Sequence, residues 1–234
     1  MSAPAAPKRE NLLLNLLFNI AIPTLILSKF SSEARLGPAG GLVVALLFPL
    51  GYGIFDFVQR RKTNVISIIG FVSVLLTGGL GLMKVGPMGF AIKEASVPLV
   101  IGSAVLFSMK TKRPLVRSLL YNDQILDVAK VHARLVERGY EAAFEKLLAR
   151  ASYGLAASFL VSAALNFGLA RYFLKSPAGT EAFNGELAKM NALSLPVIAI
   201  PSTLVMMLVL WRLIAGIEKL TDLKLEEIFN ADKK

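Results

Sequence analysis

The chain has 234 residues, a formal charge of +10 and a mean hydropathy of +0.61, and hydrophobic residues make up 55% of it. That is too apolar for a chain built around one soluble core and describes a polytopic, all-α membrane domain. The absence of cysteine excludes disulfides, thiolate catalysis and thiolate metal sites, and the single histidine, His132, excludes a multi-histidine ligand set.

Residues 1–10 read as a disordered lead, with Ala and Pro dominating Ser2–Pro7. Transmembrane helices 1–4 are expected within residues 11–109, over Asn11–Lys29, Pro38–Val58, Val65–Val85 and Ala95–Met109. A helix rising ~1.5 Å per residue needs roughly 20 apolar residues to cross ~30 Å of hydrocarbon. The fourth run meets that only if its helix begins near Phe90. Lys8 and Arg9 ahead of the first run, with Ser32 and Ala34 behind it, also resemble a secretory signal; the run is long for a signal core, and more spans follow.

Asn11, Asn15, Asn19 and Pro23 recur every four residues and so share one drifting face of the first helix. Proline has no N–H, so the carbonyl of Asn19 loses its helical donor beside a polar amide. Lipid satisfies neither group, and the face must meet other helices or water. Glue between helices is the plainer reading; a polar path is the sharper one. Near the inner end of the second span, Asp56 precedes Arg60 by four residues, the spacing of an ion pair along a helix. Ser73, Thr77 and Gly81 form a short small-residue stripe on the third span. Glu94 follows Lys93 at the outer end of the fourth, with Lys84 a candidate partner across the turn Gly86–Gly89, and Gly78–Ala91 is read as an ordinary outer connection in preference to a re-entrant loop. Asp56 and Glu94 are the candidate titrating carboxylates, each weighed against a plain structural ion pair or helix-end role.

Residues 110–150 form the largest segment outside the membrane. Lys110, Lys112, Arg113 and Arg117 open it, and Asp123–Leu148 reads as an amphipathic helix that Gly139 could divide. Lys130, Arg134 and Arg138 make a basic ladder tempered by Asp123, Asp127, Glu141 and Glu145. Such a helix lies on the inner leaflet, or docks on the bundle or on a partner. Lys112, Arg113, Arg117 and the ladder are thus the candidate lipid or partner contacts, and His132 is read as an ordinary surface residue rather than a sensor.

Transmembrane helices 5 and 6 are expected within 151–217, over Ala151–Leu174 and Asn191–Ile217, with 218–234 a charged tail. Gly154, Ser158, Ser162, Asn166 and Ala170 form a ridge of small, weakly polar residues that lets another backbone approach. The expected partner of this ridge is the first span, with Asn15 or Asn19 against Ser162 or Asn166. Interior prolines also mark Pro49, Pro98, Pro196 and Pro201. Six spans could divide into two sets of three, yet Asn11–Val85 and Phe90–Ile217 give no convincing residue match.

The charge is a topology signal. Of the 26 Lys and Arg, two precede the first span, three follow the second, nine fall in 110–150 and five lie at the C-terminal end. Basic residues beside spans stay in the cytoplasm, which places both termini there. Anionic headgroups at the cytoplasmic face are the second expected use, and nucleic acid is not expected as a partner. No phosphate loop, nucleophile elbow or metal-binding helix motif occurs, so neither enzyme activity nor a metal or cofactor is expected.

Asn19-Ile20-Ala21-Ile22-Pro23, Pro49–Asp56 with Arg60 and Arg61 behind it, and Val65–Gly81 resemble bacterial inner-membrane proteins of the intracellular septation protein A type. The resemblance covers roughly the first half of the chain and brings no catalytic residue. It implies a bacterial plasma-membrane protein tied to envelope biogenesis or division, with envelope or division proteins or a second copy of the chain as partners. The alternative is a small solute or ion transporter or channel with its polar path along spans 1 and 5.

Overall fold

A computed structural model describes residues 12–60, 65–111, 114–121 and 126–229. Every extended element among them is helical. In chain order these are α1 (Leu12–Leu16), a π-helical turn (Leu17–Ala21), α2 (Ile22–Lys29), α3 (Gly37–Arg60), α4 (Val65–Leu82), α5 (Pro87–Ser108) and α6 (Leu115–Leu120). Then follow α7 (Val128–Arg138), α8 (Glu141–Phe173), α9 (Glu181–Ser194), a second π-helical turn (Leu195–Ala199), α10 (Ile200–Thr221) and α11 (Leu225–Ile228).

Four helical runs among the described residues are long and apolar enough to cross a membrane: Gly37–Phe55, Pro87–Ser108, Glu141–Phe173 and Glu181–Thr221. Leu13–Lys29 and Val72–Leu82 are shorter apolar stretches among the described residues. The fourth run starts at Pro87, three residues before the start it needed, because proline suits the first turn of a helix, where its missing N–H would have no partner.

The described chain forms two compact units. One takes the chain up to Ala95 together with Leu165–Val197; the other takes Ser96–Ala164 together with the chain from Ile198 onward. In the first, α2 packs against both α3 and α9, and α3 against α4. Small residues permit this: a Cβ on Gly41 would strike Ser31, one on Gly78 would strike Leu46 and one on Gly81 would strike Leu42. The turn into α3 is fixed by Asn184 of α9, whose buried Nδ2 donates to Ser31 Oγ at 2.9 Å and to the Pro38 carbonyl at 2.7 Å. Phe90 and Phe183 meet edge to face at 4.9 Å, both fully buried.

In the second unit, α7 folds onto the ends of α8 and α10. Its Val131 and Leu135 are buried in one core with Phe144, Leu148, Leu213 and Ile217. Asp127 caps α7 by accepting the Lys130 N–H, and Gly139 ends it at φ +67°, a conformation glycine adopts without cost. The expected helix over Asp123–Leu148 is therefore two helices. Across residue 150, where the fifth span is expected to begin, α8 runs unbroken from Glu141 to Phe173, since no proline or helix-ending glycine interrupts it. The sixth run likewise extends back to Glu181, where Thr180 supplies the cap.

Candidate functional site

Two regions gather polar side chains. The first lies in the apolar helices of the first unit. Lys93, on the second turn of α5, is only 8% exposed; its Nζ donates to Thr77 Oγ1 at 2.6 Å and pairs with Glu94 Oε1 at 3.0 Å. Thr77 passes the chain on, donating to the Ser73 carbonyl at 3.0 Å. The small-residue stripe on α4 is thus a hydrogen-bonding rail for a lysine on α5. A buried ammonium needs both a counter-charge and hydrogen-bond acceptors, and here Glu94 supplies the charge and Thr77 an acceptor. Lys84, the partner expected for Glu94, ends α4 with φ +55° and lays its aliphatic stem against Gly179; the ion pair shown for Glu94 is with Lys93.

Asn15, Asn19 and Pro23 lie on the first helical run, with Asn15 and Asn19 half-buried and Pro23 buried. The distortion expected near Asn19 is a π-helical turn, with the Ile22 N–H reaching back to the Leu17 carbonyl. The neighbours described for this run are α3 and α9, and Phe18 stacks on Phe48 and Tyr52 of α3. The ridge on α8 has different company at its start: a Cβ on Gly154 would strike Val209 of α10, so this end of the ridge seats α10 rather than the first span. Buried Ser158 donates to the Leu155 carbonyl of its own helix at 2.7 Å, so its hydroxyl is spent locally. Ser162 and Asn166 are half-buried further along α8. Asp56 is on α3, but its side chain lies outside the described residues.

The second region is the cap formed by α6, α7 and α11. Each cation of the basic ladder has a carboxylate partner: Lys130 with Glu227 at 3.0 Å, Arg134 with Glu137 at 2.9 Å and Arg138 with Asp222 at 3.3 Å. Arg117 pairs with Glu145. Two of the partners, Asp222 and Glu227, come from the stretch expected as a charged tail. That tail is tied in further by the Asp127 N–H, which donates to the Ile228 carbonyl at 2.8 Å, and by the bridge between Leu126 and Phe229. The Lys224 backbone N–H, and then the Lys130 ammonium, hold the Glu227 carboxyl below its ordinary pKa. The Glu137 carboxylate raises Arg134 above its own. A groove of about 200 Å³ opens beside these pairs, lined by Arg117, Tyr121, His132, Glu141, Phe144 and Glu145 among others. Lys112 and Arg113 lie outside the described residues.

Sequence reasoning missed Asn184, Glu186 and a repeat. Glu186 accepts the N–H groups of Lys175 at 2.8 Å and Ser176 at 2.9 Å, and the Ser176 hydroxyl at 2.8 Å, so it organises the connection between α8 and α9. The repeat is Ile-Ala-Ile-Pro, at residues 20–23 and again at 198–201, each ending a π-helical turn. Comparing whole halves of the chain passes over it. No family model, curated protein or solved structure matches the chain.

Proposed function

We propose that this is a six-span protein of the bacterial inner membrane, with both termini in the cytoplasm, that works without catalysis by presenting its cap to protein partners in envelope biogenesis or division. The observation that carries the partner reading is the pairing of every ladder cation with a carboxylate of the chain itself. Exposed ion pairs of this kind leave little net attraction for an anionic leaflet, while they hold a fixed pattern of alternating charge that another protein can match. Anionic headgroups are then a secondary contact. The envelope role rests on the resemblance to septation protein A relatives, and the sidedness on the distribution of Lys and Arg.

A charge swap tests this without breaking the clamp. Arg134→Glu combined with Glu137→Arg, an exposed pair within α7, keeps the pair and inverts the pattern. The swapped protein should accumulate and melt as the wild type does, yet fail to restore envelope or division phenotypes in a strain lacking it. Full restoration would remove the partner reading.

A second reading, a small solute or ion transporter, is favoured by the Thr77–Lys93–Glu94 chain within apolar helices, because intramembrane ionisable groups commonly mark ion and proton paths. Under it, proteoliposomes carry a solute or proton flux that Lys93→Met or Asn19→Leu abolishes. Proteoliposomes whose flux stays at the protein-free background exclude that reading.

A further inference from the structure

In the second unit, two glycines fix the register of α8 against α10. A Cβ on Gly154 of α8 would strike Val209 of α10, and one on Gly216 of α10 would strike Leu147 of α8. Between these contacts the two helices advance by equal steps in opposite senses, so they run antiparallel and Ala151 is level with Arg212. Arg150 stands about 1.5 Å from that level, one residue's rise.

Leu147 and Gly154 mark the strip of α8 that meets α10, and Val209 and Gly216 mark the matching strip of α10. At about 100° per residue, Arg150 lies about 50° off the first strip and Arg212 about 50° off the second, with the same sense of rotation. In antiparallel helices, displacements of the same sense fall on the same side of the pair. Lys146 and Lys219 fall on that side too, about one and two turns nearer the cap. All four cations are exposed. The other side belongs to α7: Phe144 and Leu148 of α8, with Leu213 and Ile217 of α10, are turned away from the cations and buried with Val131 and Leu135.

Unlike the ladder cations, these four have no carboxylate partner among the described residues. The charge stands where the exposed surface becomes apolar. Tyr153 and Leu208 continue the same side beyond the arginines, and Trp211 adjoins Arg212, all three exposed, as at a membrane boundary. Two guanidinium groups on neighbouring helices, at one level, offer paired donors to a single phosphate.

We propose that the furrow between α8 and α10 binds an anionic phospholipid, with Arg150 and Arg212 sharing its phosphate and Lys146 and Lys219 adding attraction from further out. The uncompensated charge favours a net-negative headgroup over a zwitterionic one, and the apolar surface below the arginines receives the acyl chains. Keeping basic residues on one side of a membrane requires only that they lie near a span. It does not bring two arginines of different helices to one level on one side. The inference rests on α8 and α10 crossing the bilayer, and on neither functional reading above.

The test reconstitutes the full chain in nanodiscs of phosphatidylcholine and phosphatidylglycerol and counts, by native mass spectrometry, the lipids kept on transfer to detergent. The wild type should keep phosphatidylglycerol in preference to phosphatidylcholine. Arg150→Gln and Arg212→Gln should each lower that preference about fivefold, the weight of one cation at an anionic lipid surface. Arg150→Lys, which retains the charge, should keep most of it. Arg134→Gln removes the same charge from the paired ladder and should lower it by less than about twofold. An unchanged preference in either furrow variant, or an equal loss in Arg134→Gln, overturns the proposal. Release of the chain from vesicles by alkali would overturn the spans themselves, and the proposal with them.

Discussion

Asn184 shows how much one side chain settles in the apolar helices. Its amide serves buried Ser31 on the turn between α2 and α3 and the half-buried Pro38 at the start of α3, and Asn184→Leu leaves Ser31 Oγ and the Pro38 carbonyl without that donor. The expected loss is ~2 kcal/mol, within the ~1–3 kcal/mol cost of an unsatisfied buried group, read as a lower melting temperature in detergent. Asn184→Asp, which keeps the shape but not the donor, should lose as much. Glu227 makes a pH prediction. Its folded pKa is depressed, so its contribution to the cap is present above the unfolded value of ~4.3 and is lost as pH falls through the lower folded one. Amide protection at Leu126–Val131, relative to the intrinsic exchange rate, should fall below about pH 4, and Glu227→Gln should weaken that dependence. At this scale the sequence is partly readable. Asn19 and Pro23 stand out because their spacing is local, and the distortion expected there is present. Asn184 and Glu227 do not stand out, because their roles are defined by partners 153 and 97 positions away, which no periodicity reports.

Among elements, close approach of helices is decided by glycine. Gly154 admits Val209, so α8 and α10 meet with almost no side chain between them. Gly154→Val should wedge them apart and cost ~1–3 kcal/mol, the usual penalty of overpacking. Adding Val209→Ala should recover part of that loss, a coupling that a thermal double-mutant cycle measures directly. The ridge on α8 was legible as a packing surface from its four-residue spacing, but the partner at its start was not. Small residues say that something comes close without saying what. Helix limits follow a similar division. Pro87 and Gly139 announce an end or a beginning through backbone chemistry, and both fall where the chain turns. The continuity of α8 across residue 150 has no such mark. Arg150 and Lys146 read as the edge of a soluble segment, yet a helix emerging from a membrane carries its charges on the same unbroken backbone.

For the whole molecule, the composition indicates an all-helical membrane protein, and four of the six expected runs have the length and apolarity to span. Of the other two, the first contains the π turn and ends at Lys29, and α4 runs 18 residues from Val65 to Leu82. The cap is where sequence and structure differ most in meaning. A basic amphipathic stretch that sequence offers to the lipid surface has its apolar face covered by α8 and α10, Lys130 and Arg138 paired by the tail and Arg134 by Glu137 of its own helix. The central claim, a multi-span protein whose cap faces the cytoplasm, is open to one direct measurement. In the cysteine-free chain, Ala133→Cys reports on α7 and Ala182→Cys on the start of α9, both exposed positions. Treatment of intact cells with a membrane-impermeant maleimide, with the outer membrane opened, should label Ala182→Cys at once and Ala133→Cys only after the inner membrane is permeabilised. Labelling of Ala133→Cys from outside, or equal labelling of the two, would contradict the account.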